Sequence, residues 1–227
     1  MLDPPPTINI FNNCDSKTNG EIYFYNNIKS NIKVIFDVGC RTDSEFINFD
    51  HEVHYFDPVP QFIDIISNAQ LRNARPFFNK FGLSDENKEH FYFPTYQSFN
   101  DRTISCKVSD ENNKIILQLR TAKDYIIKNQ ISEIDFLKID TEGHELNVLK
   151  GFDRLLSIVN IIQFEYGGTY LDVNIKLIDV INYLTNHNFH KFSYLTENGP
   201  ILITDFNDHY QYFNILCINK NSKYVPF

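Results

Sequence analysis

The sequence predicts a single α/β domain built on an open, mostly parallel sheet with an antiparallel element toward its C-terminal end. Three observations carry that prediction. Short apolar runs alternate with segments of helical spacing through most of the 227 residues, and the last third turns strand-rich. Residues 134–139, IDFLKI, make an apolar run of the kind that forms a buried parallel strand, and Asp140 stands where that strand ends. Residues 34–40, VIFDVGC, place a glycine directly after another apolar strand, where backbone can approach a ligand closely.

Taken in order, residues 1–20 carry a proline run and then polar residues, and read as an arm before a domain over 21–227. Residues 21–30 are expected to form a short helix with Tyr23 and Phe24 on the core. Residues 33–37 are the first strand and 51–57 the second. Residues 60–71 space Phe62, Ile65, Ile66 and Ala69 as one helical face. A third strand is expected over 77–83, the start of a hairpin at 90–93, a further strand at 114–119 and a helix at 122–129. After the strand at 134–139, Glu142 and Glu145 read as the first turn of a helix. Its stripe is Leu146, Leu149 and Phe152, and Lys150-Gly151 is its stop. Residues 159–165 form another strand. Asp172 is expected to cap a helix striped by Ile175, Ile178, Ile181 and Leu184. Strands at 189–196, 201–204 and 211–219 complete the chain.

Hydrophobic residues make up 42% and charged residues 22%, the balance of a soluble globular protein. A formal charge of −8 without a basic cluster argues against nucleic acid as a partner. No apolar run approaches the ~18 residues that span a bilayer. The start, MLDPPPTINIF, lacks the basic and apolar regions of a secretory signal. Cys14, Cys40, Cys106 and Cys217 are scattered without a CxxC, so reduced thiols and a cytoplasmic location are expected, and no zinc site.

Asp140, Glu142 and Glu165 are the strongest chemical candidates. Asp140 and Glu165 end apolar strands, and open α/β sheets bind their ligands at that edge. Acidic residues gathered there suit a cationic or hydroxyl-rich ligand. A carboxylate at a helix start is otherwise simply stabilised by the helix dipole, a reading that applies fully to Glu145 and partly to Glu142. His144 is a candidate general base, with an unperturbed pKa of ~6.5. A lone histidine in a first helical turn is more often only exposed. His187, His190 and His209 have no metal-binding spacing, and no metal is expected. Asp57 lies 18 positions after Gly39, near the offset of an acid that accepts from a ribose diol. The ordinary alternative is a solvated turn before Pro58.

Residues 134–151, IDFLKIDTEGHELNVLKG, resemble the signature of the FkbM family of S-adenosylmethionine (SAM)-dependent methyltransferases. That signature is a strand reading roughly iDflKiD followed by vEGaElevLkG, with Thr141 and His144 as the visible substitutions here. The resemblance runs from about Val34 to about Asn219. It implies a Rossmann-like methyltransferase fold, with a seven-stranded sheet whose last strand pair is antiparallel and helices on both faces. It implies SAM as cofactor and methyl transfer to a hydroxyl of a small molecule or sugar. On the matching positions it implies that Asp37, Gly39 and Cys40 form the first cofactor strand and turn. Asp57 and Pro58 would serve the ribose, and Gly82, Leu83, Ser84 and Asp85 the adenine. Ser98 falls where relatives often carry paired serines, and Asp140 would stand at the methyl end.

One departure is plain. The family's first turn, like DvGANiG, has a second glycine, whereas DVGCRTDSEF puts residues 41–43 there. Acceptor-facing residues are expected in loops 93–109 and 167–172. Three alternatives stand beside the methyltransferase. A nicotinamide-dependent oxidoreductase leaves residues 134–151 unexplained. An RNA ribose methyltransferase conflicts with the acidic balance. A binding or scaffold protein with a decayed cofactor site would account for the missing glycine.

Overall fold

The computed structural model describes residues 11–100, 112–208 and 211–224. The first ten residues of the expected arm, residues 101–109 of an expected acceptor loop, and His209 lie outside them. In chain order the strands are β1 (Val34–Val38), β2 (Glu52–Phe56), β3 (Arg75–Asn79), β4 (Gly82–Ser84), β5 (Lys88–Tyr92) and β6 (Ile115–Thr121). They continue with β7 (Ile134–Ile139), β8 (Val159–Tyr166), β9 (Phe189–Tyr194), β10 (Ile201–Leu202) and β11 (Phe213–Asn219). The helices are α1 (Glu21–Ile28), α2 (Pro60–Ser67), α3 (Ala122–Asn129), α4 (Glu145–Lys150), α5 (Thr169–Asp172) and α6 (Leu177–Asn186).

The main sheet has the order β10-β9-β11-β8-β7-β1-β2-β3. Strands β3, β2, β1, β7 and β8 are parallel. Strand β11 returns antiparallel between β8 and β9. The sheet thus has eight strands where seven were expected. The eighth is the two-residue β10, which pairs antiparallel with β9 at the edge. The strand expected at 77–83 divides at Lys80-Phe81. Its first half is β3, and its second half, β4, joins β6 and β5 in a small separate sheet.

Side chains alternate between the two faces of a strand, and the core divides accordingly. Ile35, Phe136 and Ile161 pack on one face with Phe24, Tyr25 and Ile28 of α1 and Ile63 and Ile66 of α2. Phe36, Leu137 and Ile162 pack on the other with Ala122 and Ile126 of α3, Leu149 of α4 and Leu184 of α6. All of β7 is buried because strands flank it and helices cover both faces. Truncating Phe136 to Ala would cost about 3–5 kcal/mol.

Helical phase corrects three stripes. In α1 the buried positions are 21, 24, 25 and 28, so Tyr25 is inside and Tyr23 is 44% exposed. In α2, Ile63 and Ile66 face inward and Ile65 faces solvent. In α6 the stripe is Leu177, Val180, Ile181 and Leu184, with Ile178 outside. Asp172 ends the short α5 rather than capping α6. The N–H of Lys176, at the start of α6, donates to the Asp179 carboxylate at 3.0 Å.

Candidate active site

Register brings the site together. Val38 pairs with Ile139, and Ile139 with Phe164, so the next residues, Gly39, Asp140 and Glu165, leave three adjacent strands at one level. The Asp140 N–H donates to the Val38 carbonyl at 2.9 Å, which holds the two ends together. Gly39 has φ +82°, and a Cβ on it would lie 1.9 Å from the Asp140 carbonyl oxygen. No side chain fits there.

One step down the strands lies a polar row on the α1 face, where Asp37 pairs with Lys138 and Lys138 with Gln163. Lys138 is 7% exposed and lies 3.0 Å from Glu45, 3.6 Å from Glu21 and 4.0 Å from Asp140. These carboxylates hold its pKa well above the ordinary lysine value despite burial. Glu21, from α1, also accepts from Gln163 Nε2 at 2.6 Å, Asn19 Nδ2 at 2.8 Å and Tyr25 Oη at 3.0 Å. The network joins α1 to β7 and β8.

Above this row opens a cavity of about 480 Å³. Gly39, Cys40, Asp140, Glu142 and Glu165 line it, as does the turn at 167–169. Sequence reasoning missed Glu21, Glu45 and Lys138 on its floor, and Asn13, Tyr212 and Asn214 on its far wall. Two of these were visible in principle. Lys138 interrupts an otherwise apolar strand, and Glu21 shares the helical face of Phe24 and Tyr25. The far wall comes from chain pieces nearly two hundred residues apart. The Asn12 N–H donates to the Tyr212 carbonyl at 2.8 Å, and Tyr212 Oη lies 2.6 Å from Cys14 Sγ.

The electrostatics separate the carboxyl groups. Burial raises Asp140 to about 6, against the pull of Lys138. Burial, then the charges of Asp140, Glu142 and Glu145, push Glu165 well above the usual carboxylate range. Carboxylate oxygens of Asp140, Glu142 and Glu165 all lie within 4.8 Å of one another, a donor set that a hard divalent cation could also use.

Several expected site residues sit elsewhere. His144 does not line the cavity. Its Nε2 lies 3.0 Å from Ser84 Oγ, its ring packs 5.3 Å from Phe99, and burial drops its pKa to about 4. Glu142 is not helical: it has φ +56°, and α4 begins at Glu145. Its carbonyl accepts from Ser98 Oγ and Asn100 Nδ2, both at 3.1 Å, so Ser98 braces the loop rather than facing the cavity. Glu145 is tied to its own turn, accepting from Thr141 N–H at 2.8 Å and Thr141 Oγ1 at 3.0 Å. Asp57 and Pro58 also lie outside the cavity lining. The Asp57 carboxylate accepts from the N–H groups of Arg41 and Val59 at 3.1 and 2.9 Å, leaving further lone pairs on both oxygens. Gly82, Leu83 and Ser84 form buried β4, and Asp85 accepts from Ser84 Oγ at 2.8 Å.

The turn without its second glycine is closed by Arg41 at φ +50°, and Arg41 borders the open cavity. The family model for the FkbM methyltransferase domain matches residues 37–191. The chain belongs to the FkbM methyltransferase family. The match spans both the glycine turn and the carboxylate edge, and leaves α1 and β11 outside. Among curated proteins, the hexuronic acid methyltransferase AglP of Haloferax volcanii is 27% identical over 135 residues, 58% of this chain and 55% of the relative. The chain thus spans about half the length of the curated relative it matches. Among solved structures, the plantazolicin methyltransferase BpumL in complex with SAH is 11% identical with a TM-score of 0.46, over 87% of this chain and 80% of that one. The complex of BpumL with a monoazolic desmethylPZN analog and SAH gives the same values.

Features of this FkbM chain fit a SAM-sized polar ligand. The glycine turn admits no Cβ, and the buried Asp37 Oδ1 has no hydrogen-bond partner among the described residues, while its Oδ2 accepts from Ser44 Oγ. Ser44 itself lines the cavity.

Proposed function

We propose that this chain is a SAM-dependent O-methyltransferase that methylates a hydroxyl of a small molecule or sugar. The observation that carries this reading is the convergence of Gly39, Asp140 and Glu165 on one cavity at the carboxyl edge, inside the segment matched by the family. SAM, when bound, supplies an electrophilic methyl group. The turn at 39–41, Asp37 and Asp57 are the groups that would hold it. The remaining tasks belong to the chain: positioning the acceptor, excluding water and taking the hydroxyl proton.

Asp140, at about 6, is ionised at neutral pH and close to the value at which a general base works best. Burial and the neighbouring carboxylates raise Glu165 well above the usual carboxylate range, which suits it to hydrogen-bond the acceptor hydroxyl beside Asp140. Two carboxyl groups facing one acceptor let one take its proton while the other orients it. Glu142 completes the rim, and His144, buried on Ser84, plays no part in proton removal. We further place residues 21–227 in one working domain with 1–20 as an arm, whose residues Asn13 and Asn19 border the cavity. The described residues contain no helix long and apolar enough to cross a membrane. We place the protein in the cytoplasm, where scattered thiols stay reduced.

A second reading, a binding protein with a decayed cofactor site, draws on the Arg41 N–H that engages Asp57. Calorimetry with S-adenosylhomocysteine (SAH), the demethylated product, separates the two. The enzyme reading expects binding, and expects Asp140→Asn to keep that binding while turnover on a hydroxylated acceptor falls roughly 10²–10⁴-fold. Absence of SAH binding at millimolar concentration would leave the binding-protein reading standing.

A further inference from the structure

We infer that the acceptor held in this cavity is a polyhydroxyl compound bearing a protonated amine, such as an amino sugar with its amine unacylated. The inference rests on the methyltransferase reading and names the substrate class for that site. Its basis is the charge of the wall together with the geometry of the groups that carry it. Among the described residues, six carboxyl groups border the cavity, from Glu21, Asp43, Glu45, Asp140, Glu142 and Glu165. The cations among the described lining residues are Lys138 and Arg41.

Lys138 is already shared among Glu21, Glu45 and Asp140 at 3.0–4.0 Å, so an incoming carboxylate would compete with three resident ones. Arg41 is exposed at the rim. The Glu165 carbonyl accepts from Tyr170 Oη at 3.2 Å, but no other described residue donates to its carboxyl group, which borders the cavity. With carboxylates outnumbering cations along this wall, a cation among these groups is attracted and an anion repelled. The net charge of the SAM reactive end, a single sulfonium, does not offset the excess. An ammonium group does so while leaving the ligand hydroxyls to the neutral part of the wall.

That neutral part includes Asn13, Asn214 and the Tyr212 hydroxyl, groups that both donate to and accept from hydroxyls. All three lie outside residues 37–191, so part of this wall comes from chain segments beyond the family match.

The test is calorimetric titration of SAH-saturated protein with three methyl glycosides: glucosamine, N-acetylglucosamine and glucuronic acid, at low and high salt. The inference expects the free amine to bind about tenfold or more tightly than the N-acetyl form at low salt, with the gap closing as salt screens it. The uronic acid should bind weakest. Asp43→Asn should narrow the amine preference severalfold. Equal binding of amine and acetyl forms at low salt overturns the inference, as does tighter binding of the uronic acid. So does failure of all three to bind at tens of millimolar. A uronic acid preference that appears on adding Mg²⁺ also overturns it, because a metal on Asp140, Glu142 and Glu165 then supplies the missing charge. Failure of SAH itself to bind counts against the methyltransferase reading. The same glycosides titrated into the unliganded protein then still report the charge preference.

Discussion

Replacing Asp37 by Asn should make the unliganded protein more stable and a poorer SAH binder. The side chain is 1% exposed, and among the described residues its Oδ1 has no partner while Ser44 donates to its Oδ2. Burial raises its pKa from 3.8 to about 7. A carboxyl group whose folded value lies above its unfolded one contributes most to stability below the unfolded value, and the contribution is lost as pH rises to the folded one. The window here runs from near 4 to about 7. A displacement of about three units corresponds to ~4 kcal/mol as an upper bound, at 1.4 kcal/mol per unit. Asn keeps the shape and cannot ionise. Urea unfolding of both proteins at about pH 5 and about pH 8 checks this, because other raised carboxyl groups, such as Glu145, cancel in the difference. The variant should gain roughly 1–3 kcal/mol on the wild type between those two pH values. A difference that does not change with pH, or a variant less stable at about pH 8, would refute the reasoning.

Lys138→Met should cost about 3–5 kcal/mol in unfolding free energy by leaving buried Glu21 and partly buried Glu45 without their cation. Because Lys138 holds Asp140 down, the acid limb of the turnover profile, near pH 6 in the wild type, should move upward in that variant; an unmoved limb would separate Lys138 from Asp140. His144→Gln should leave the limb near pH 6 in place, since the His144 ring packs on Ser84 and Phe99 outside the cavity. Loss of that limb would return His144 to the candidate bases.

Much of the fold was legible because its signals are local. Residues 134–139 form β7 as expected, and 122–129 form α3, since an apolar run and a helical stretch each show in a few neighbouring residues. Face assignment fared worse. Aromatic content favoured Tyr23, but the 3.6-residue period places Tyr25 beside Phe24 on the inner face. The division of 77–83 into two sheets depends on which distant strand pairs with each half, and β6 lies more than thirty residues onward. In the site, Gly39, Asp140, Glu142 and Glu165 were readable as ends of apolar strands and their following loop. The position of the His144 ring was not readable in the sequence: as the residue before α4 it sets its Nε2 3.0 Å from Ser84 Oγ on β4, outside the cavity lining. The far wall of Asn13, Tyr212 and Asn214 carries no sequence pattern, because pairing across the whole chain creates it.

The central claim is that the carboxylate edge of β1, β7 and β8 is the methyl-transfer site. A crystal structure of the SAH complex tests it most directly. The account predicts the amino-acid end of SAH at the 39–41 turn and its sulfur facing Asp140 and Glu165 across the cavity. SAH bound at another edge of the sheet, or an Arg41 side chain filling the place of its amino-acid end, would contradict it.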